Sequence, residues 1–202
     1  MNVKITIPED QSEITLGQFQ KYDTLIKRED INDFEKAKRV VSLFTGLKYH
    51  QVGQMEQKDY IDIVGHVAIA LAKECEFVDT FELNGDKYGF INLDKMTTGE
   101  WVDLQTSGED TENLHKTMAV LFRKIKKQTK HGYRVVDYNG TAATKDLMKE
   151  LPMNVVNGCL GFFLSLQKEL SNHILKSIME AGQKKELLDT LKSGDGTVLS
   201  TL

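Results

Sequence analysis

The chain has 202 residues, 40% of them hydrophobic and 28% charged, with a formal net charge of −4. That balance excludes an intrinsically disordered chain and a generally basic, nucleic-acid-coating protein, and the length is enough to bury a core without disulfides or metal. No apolar run reaches the roughly 20 residues of a membrane-spanning helix, the Met1-Asn2-Val3-Lys4-Ile5 start lacks the build of a signal peptide, and Cys75 and Cys159 fit neither a disulfide scaffold nor a four-ligand zinc site.

Only Pro8 and Pro152 interrupt the chain as prolines, which leaves room for long helices. Lys4 to Ile7 alternate and predict a short strand ended by Pro8. Thr15 suits the N-cap of a first helix whose apolar positions Leu16, Phe19, Tyr22 and Ile26 have helical spacing. Asp33 can cap a second helix through Phe34, Ala37, Val40, Val41 and Phe44, with Gly46 as its stop. A third runs from about Gln57 through Tyr60, Ile63, Val64, Val67 and Leu71.

The period then changes. Thr80–Leu83 and Asp86–Ile91 flank Asn84-Gly85, a pair suited to the positive φ angles of a type I′ turn, and predict a β-hairpin. Thr98–Leu104 reads as a short capped helix carrying Trp101. Ser107–Asp110 reads as a polar loop leading into a helix from Thr111 to Ile125, with Leu114, Met118, Leu121 and Phe122 on one side. Tyr133 to Tyr138 contains β-branched and aromatic residues and predicts another strand.

Pro152 suits the first turn of a late helix. Its apolar face runs through Val156, Leu160, Phe163, Leu164, Leu166, Leu170, Ile174, Leu175 and Ile178. Gly158 and Gly161 interrupt that face, which implies close approach of another helix or a bend. After Gly182 a short charged helix leads to a frayed end. The fold class is therefore α+β, predominantly helical with a central β-hairpin. The expected organisation is one globular domain over 1–192, with a helical front (1–79), a hairpin-containing middle (80–138), a helical back (139–192) and a flexible tail (193–202).

Residues that carry chemistry are scattered. None of His50, His66, His115, His131 and His173 stands in a His-x-x-x-His, His-Glu-x-x-His or Cys-x-x-Cys arrangement. His66 reads as a hydrogen-bonded structural histidine near an apolar face, His115 as a surface or interface residue, and both cysteines as small apolar residues. Asn139–Lys145 lacks the ending of a phosphate-binding loop and reads as a turn before a Thr-capped helix. Asp94, Glu100, Asp103, Glu109, Asp110 and Glu112 do not have calcium-loop spacing and read as a solvated acidic face. The segment Arg123–Arg134 is locally basic, at an expected helix end and loop, and reads as solvated surface or a docking patch. No catalytic residue, cofactor or metal is assigned, and the chain reads as a non-enzyme.

A family resemblance sharpens this. It is carried by Glu13-Ile14-Thr15-Leu16-Gly17-Gln18-Phe19-Gln20-Lys21-Tyr22, by Val40-Val41-Ser42-Leu43-Phe44-Thr45-Gly46-Leu47, by Phe81–Leu104 with Asn113–Arg123, and by Glu150–Gly158 through Phe162-Phe163. Together these stretches resemble virion-assembly proteins of tailed bacteriophages, and the Leu43-Phe44-Thr45-Gly46-Leu47 stretch looks like that of tail assembly chaperones. The chain departs from the pattern at Lys124, where proline more usually follows the arginine.

The resemblance implies a non-enzymatic assembly protein that binds another phage structural protein, a tape-measure, tail or neck component, in the host cytoplasm. An alternative of the same kind is a neck or tail subunit retained in the virion. An alternative of another class is a nucleic-acid-binding module using the 123–134 segment, which has few interleaved aromatics and no recognised nucleic-acid fold. Protein-binding residues would come from apolar area that the monomer does not need for its core. The candidates are Trp101, Leu160, Phe162, Phe163 and Leu166, with Met148 and Met153 as adaptable contacts. Arg123, Lys124, Lys126, Lys127 and Lys130 form a candidate basic docking patch. Self-association is expected until a target arrives, and no membrane partner is expected.

Overall fold

In the computed structural model, Thr15 opens the first helix as expected. Its hydroxyl accepts from the Gln18 backbone N–H, and the Gln18 side chain accepts in return from the Thr15 backbone N–H at 3.0 Å, a capping box. The structure describes residues 5–107, 110–130, 132–166 and 168. Two compact units are present, Met1–Cys159 and Leu160–Leu202. The first contains α1 (Leu16–Ile26), α2 (Asp33–Thr45), α3 (Tyr49–Val52), α4 (Gln57–Ala72), α5 (Thr98–Ser107) and α6 (Leu114–Leu121). It also holds strands β1 (Thr80–Leu83), β2 (Asp86–Phe90), β3 (Phe122–Thr129) and β4 (Gly132–Val135), which form one antiparallel sheet in the order β1-β2-β3-β4. Residues 153–159 are helical, as are 160–166 of the second unit. The protein is thus α+β and mostly helical.

Several helix ends follow from local chemistry. The cap of α2 is Asn32 rather than Asp33: its Oδ1 accepts from the Glu35 N–H, while Asp33 takes the first helical position. Gly46 ends α2 in the left-handed region. The short helix α3 was not expected from spacing, because four residues carry no helical period. At the end of α4 the buried Gln11 does the capping, its Nε2 donating to the carbonyls of Leu71 and Lys73 at 2.9 and 2.7 Å. Its Oε1 accepts from Asn157 at 2.6 Å, so one side chain ties the start of the chain to residues that follow it by more than a hundred positions.

The hairpin forms as read: Asn84 and Gly85 have φ of 52° and 79°, and Thr80 pairs with Gly89. The helix expected over Thr111–Ile125 does not. After a 3-10 turn at Thr111–Asn113, α6 stops at Leu121 and the chain crosses directly into β3, where Phe122 pairs with Phe90. The open edge of β2 offers backbone partners that a further helical turn would forgo. Phe122 also enters an aromatic cluster, its ring 5.0 Å from Phe81 and 5.3 Å from Phe90. The helical spacing through Phe122 was real, since Leu114, Met118, Leu121 and Phe122 are all buried, but it continued one residue past the helix.

β4 covers the first part of the predicted 133–138 strand. A bulge between Ile125 and Lys127 redirects the β3–β4 ribbon, and the Tyr133 ring comes to lie over Gly89 of β2. The Tyr133 hydroxyl is 3.1 Å from the carbonyls of both Asp79 and Phe90. Any Cβ at position 89 would overlap that ring, which explains glycine inside a strand.

Other expectations are corrected by packing. Ile5–Ile7 find no strand partner and are irregular; Lys4 lies outside the described residues. Thr141–Asp146 form turns and Leu147–Glu150 a 3-10 helix rather than an α-helix. Pro152 stands just ahead of the helical residues from 153, its carbonyl accepting from the Val155 N–H. Met148 and Met153 are fully buried, because residues 148–159 complete the core beside Ile14, Leu16 and α6; they are packing residues, not adaptable surface contacts. Gly158 does admit a close neighbour, but it is the extended Glu76–Phe77 backbone and not a helix: a Cβ there would collide with the Glu76 carbonyl oxygen. Leu170, Ile174, Leu175, Ile178, the charged helix after Gly182 and the 193–202 tail lie outside the described residues.

Candidate protein-interaction site

Thr97 and Glu100 start α5 with reciprocal bonds: Glu100 Oε2 accepts from the Thr97 N–H and hydroxyl at 2.5 and 2.6 Å, and the Glu100 N–H donates back to the hydroxyl. The other carboxylate oxygen of Glu100 meets the Arg123 guanidinium at 2.6 Å, with Glu100 only 2% exposed. One helical turn on, Asp103 accepts from the Tyr138 hydroxyl, and the Arg123 guanidinium lies 5.6 Å from the centre of the Tyr138 ring. Burial first, then the bond to Asp103, push the Tyr138 phenol well above its ordinary range. Glu100 and Asp103 are therefore not part of a solvated acidic face. Burial of charge is tolerated here because the opposite charge comes from β3. Glu109 lies outside the described residues, while Asp94, Asp110 and Glu112 are exposed.

This brace holds α5 against the root of β3 and leaves its next side chains outside. Trp101 is 55% exposed and Val102 51%. The candidate basic patch divides at the same place. Arg123 is engaged by Glu100, and Lys124 by Asp86 at 2.6 Å. Lys126, Lys127 and Lys130 are exposed on the β3–β4 ribbon together with Arg134, with no ion pair among the described residues. The segment is a strand and its hairpin, so the helix-end account of its charge is replaced by a β-ribbon that displays lysines to solvent. His131 lies outside the described residues.

The remaining candidates belong to the second unit. Leu160, Phe162 and Phe163 are half-buried, and Leu166 is exposed. The Phe162 and Phe163 rings meet edge to face with centroids 5.7 Å apart. Leu164, at 67%, is the more exposed leucine of that segment.

A further exposed apolar face lies on α4. On α4 the buried residues are Ile63, Val67 and Ala70, but Ile61 and Ile69 are 57% and 71% exposed on another side. Gly65, Ala68 and Ala72 are exposed with them. The spacing 61, 65, 68, 69, 72 is itself helical, and it went unread because the stronger core stripe of the same helix masked it. Phe34 of α2 is 67% exposed, and its ring meets Tyr60 of α4 at 6.2 Å on a different side of that helix from Ile69. Ile61 and Ile69 are about 12 Å apart along the axis at 1.5 Å per residue.

The titratable residues are placed for structure. His115 is buried, not on the surface, because α6 is covered on nearly every side. Its Nδ1 lies 3.0 Å from the Gln20 amide nitrogen, and burial lowers its pKa, helped by Lys149 and Lys116. His66 is exposed rather than on the apolar side, although it is hydrogen-bonded, its Nδ1 standing 2.7 Å from the Asp62 carbonyl. Burial pushes the Cys159 thiol up to about 12, an inert packing group, and raises the half-buried Cys75 as well. Among the described residues no group of three His, Cys, Asp or Glu side chains is arranged to hold a metal ion, and no helix is long and apolar enough to cross a membrane. No protein family, curated protein or solved structure matches the chain.

Proposed function

We propose that this chain is a non-enzymatic assembly protein of a tailed bacteriophage, of the tail-assembly-chaperone kind, which acts in the host cytoplasm by binding another phage structural protein. The observation that carries the protein-binding part is the exposed α4 face of Ile61 and Ile69, both more than half exposed on a unit that already has a filled core. Exposed large apolar side chains standing singly are ordinary; two isoleucines on one helix face, with Gly65, Ala68 and Ala72 exposed between and beside them, make a continuous apolar strip suited to a protein contact. Covering an isoleucine is worth about 1.5–3 kcal/mol. Trp101 and Val102 add a second exposed apolar pair on a helix fixed by buried ionic and hydrogen bonds, which suits a rigid anchor. The phage assignment is supported by the motif resemblance alone.

Mass spectrometry of purified virions beside the infected-cell lysate tests the reading. A transient chaperone gives abundant peptides in the lysate and none in virions. Peptides at a constant ratio to tail or portal subunits in the virion would overturn it in favour of a retained neck or tail subunit.

A further inference from the structure

Between α1, α2 and α3 lies an open cleft of about 510 Å³, inside the 300–1,000 Å³ range of sites that bury a compact ligand group. Its apolar wall is Leu25, Leu43 and Tyr49, and its charged residues are Lys21, Arg28 and Arg39. Among the described residues no acidic side chain lines it, in a chain whose net charge is −4. The three cations come from α1, the turn after it and α2, so the fold gathers them; no sequence run does.

Arg39 is the informative member. One of its terminal nitrogens is 3.7 Å from Glu35 Oε1, a loose ion pair, and that oxygen already accepts from the Tyr49 hydroxyl at 2.5 Å. Its Nε is buried without a hydrogen-bond partner among the described residues, while the side chain as a whole is 42% exposed, so the donors within reach of the cleft are its terminal nitrogens. The guanidinium carbon lies 5.2 Å from the Tyr49 ring centre, and Lys38 Nζ also approaches that ring, at 4.2 Å. Arg28 is held by Asp30, outside the cleft lining, and Lys21 has no ion pair among the described residues. The cleft therefore presents apolar contact area next to a loosely paired guanidinium and an exposed ammonium.

We propose that this cleft docks a segment of a partner protein that places an aliphatic or aromatic side chain beside a carboxylate. The side chain covers Leu25, Leu43 and the Tyr49 ring, and the carboxylate accepts from the terminal nitrogens of the Arg39 guanidinium with Lys21 as second cation. That the occupant is a protein segment rests on the proposed function; its acidic and apolar chemistry rests on the cleft alone. Carboxylate on guanidinium is a charge-assisted bond, roughly twice as strong as a neutral one.

The test is a titration of the isotope-labelled full chain with a blocked pentapeptide alternating leucine and glutamate, and with its leucine–lysine counterpart, read by NMR. The glutamate peptide is expected to shift the Arg39 Nε–H resonance and the Leu25 and Leu43 methyls saturably, while the lysine peptide leaves them in place. Arg39→Gln should weaken binding at least tenfold, and Arg39→Lys, which retains charge without the forked guanidinium donors, by less. Equal response to both peptides, or shifts confined to α4 or Trp101, would overturn the proposal. Because the readout is on the purified protein, it stands or falls separately from the virion experiment.

Discussion

Arg123 and Lys127 belong to the same strand, yet they experience opposite solvents. At the root of β3, Arg123 is mostly buried against a carboxylate that is 2% exposed, and Tyr138 and Asp103 close around the pair. Toward the tip, from the bulge onward, Lys126, Lys127 and Lys130 face water. A cation in a basic run can thus be a structural element or a solvated display. What separates the two is whether another element brings a carboxylate to it. The root has α5 behind it; the tip has only β4 beside it. A charge run in sequence is for this reason not a unit of function.

The comparison can be broken first at Glu100. Glu100→Gln leaves a buried guanidinium without its counter-charge and should cost about 3–5 kcal/mol in denaturant unfolding. Combining Glu100→Leu with Arg123→Leu should cost much less than either change alone. An additive double mutant would show that the pair is not coupled and that the root is no more special than the tip.

A second test uses pH on the core that feeds the strand. His115 on α6 titrates below its ordinary value of 6.5, because burial and nearby lysines disfavour its charged form. The unfolded chain therefore binds the proton more readily. The stability contribution is complete above about pH 6.5 and declines as pH falls through the folded-state value. His115→Gln, which retains an acceptor for Gln20, should flatten the pH dependence of the unfolding free energy across that window. An unchanged slope would assign the acid sensitivity elsewhere.

The smallest stability effect is expected at the tip. Serine at positions 126, 127 and 130 together should change stability by within about 0.5 kcal/mol per site. If these lysines form a docking patch, the triple variant should lose binding to an acidic partner while melting normally. Salt-sensitive binding of duplex DNA, abolished in the same variant, would instead support the nucleic-acid reading of this ribbon.

What could be read before folding was what short-range chemistry decides. The Asn84-Gly85 hairpin, the Thr15 cap, the Gly46 stop, and the α4 span depend on residues within a few positions of one another, and each was legible. So was the α+β class, because the helical and alternating periods differ over enough residues to be told apart. Partner choice across the chain was not legible. Helical spacing ran through Phe122, and only the vacant edge of β2 made it a strand. Glu100 looked like one of several solvated acids until Arg123 arrived beneath it from β3. His115 looked exposed until α1 covered it with Gln20.

The interaction surfaces divide the same way. Trp101 was identifiable as a lone large aromatic, and the structure leaves it half in water. The Ile61–Ile69 face was present in the spacing but hidden beneath a stronger stripe on the same helix. The Lys21–Arg28–Arg39 cleft could not be found in the sequence, since its cations come from separate elements. The sequence by itself determined local geometry and periodicity, because caps, turns and amphipathic spacing are set by neighbours along the chain. The tertiary structure alone decided which charges are neutralised, which apolar faces remain uncovered and where cations converge, because these depend on contacts between residues far apart in sequence.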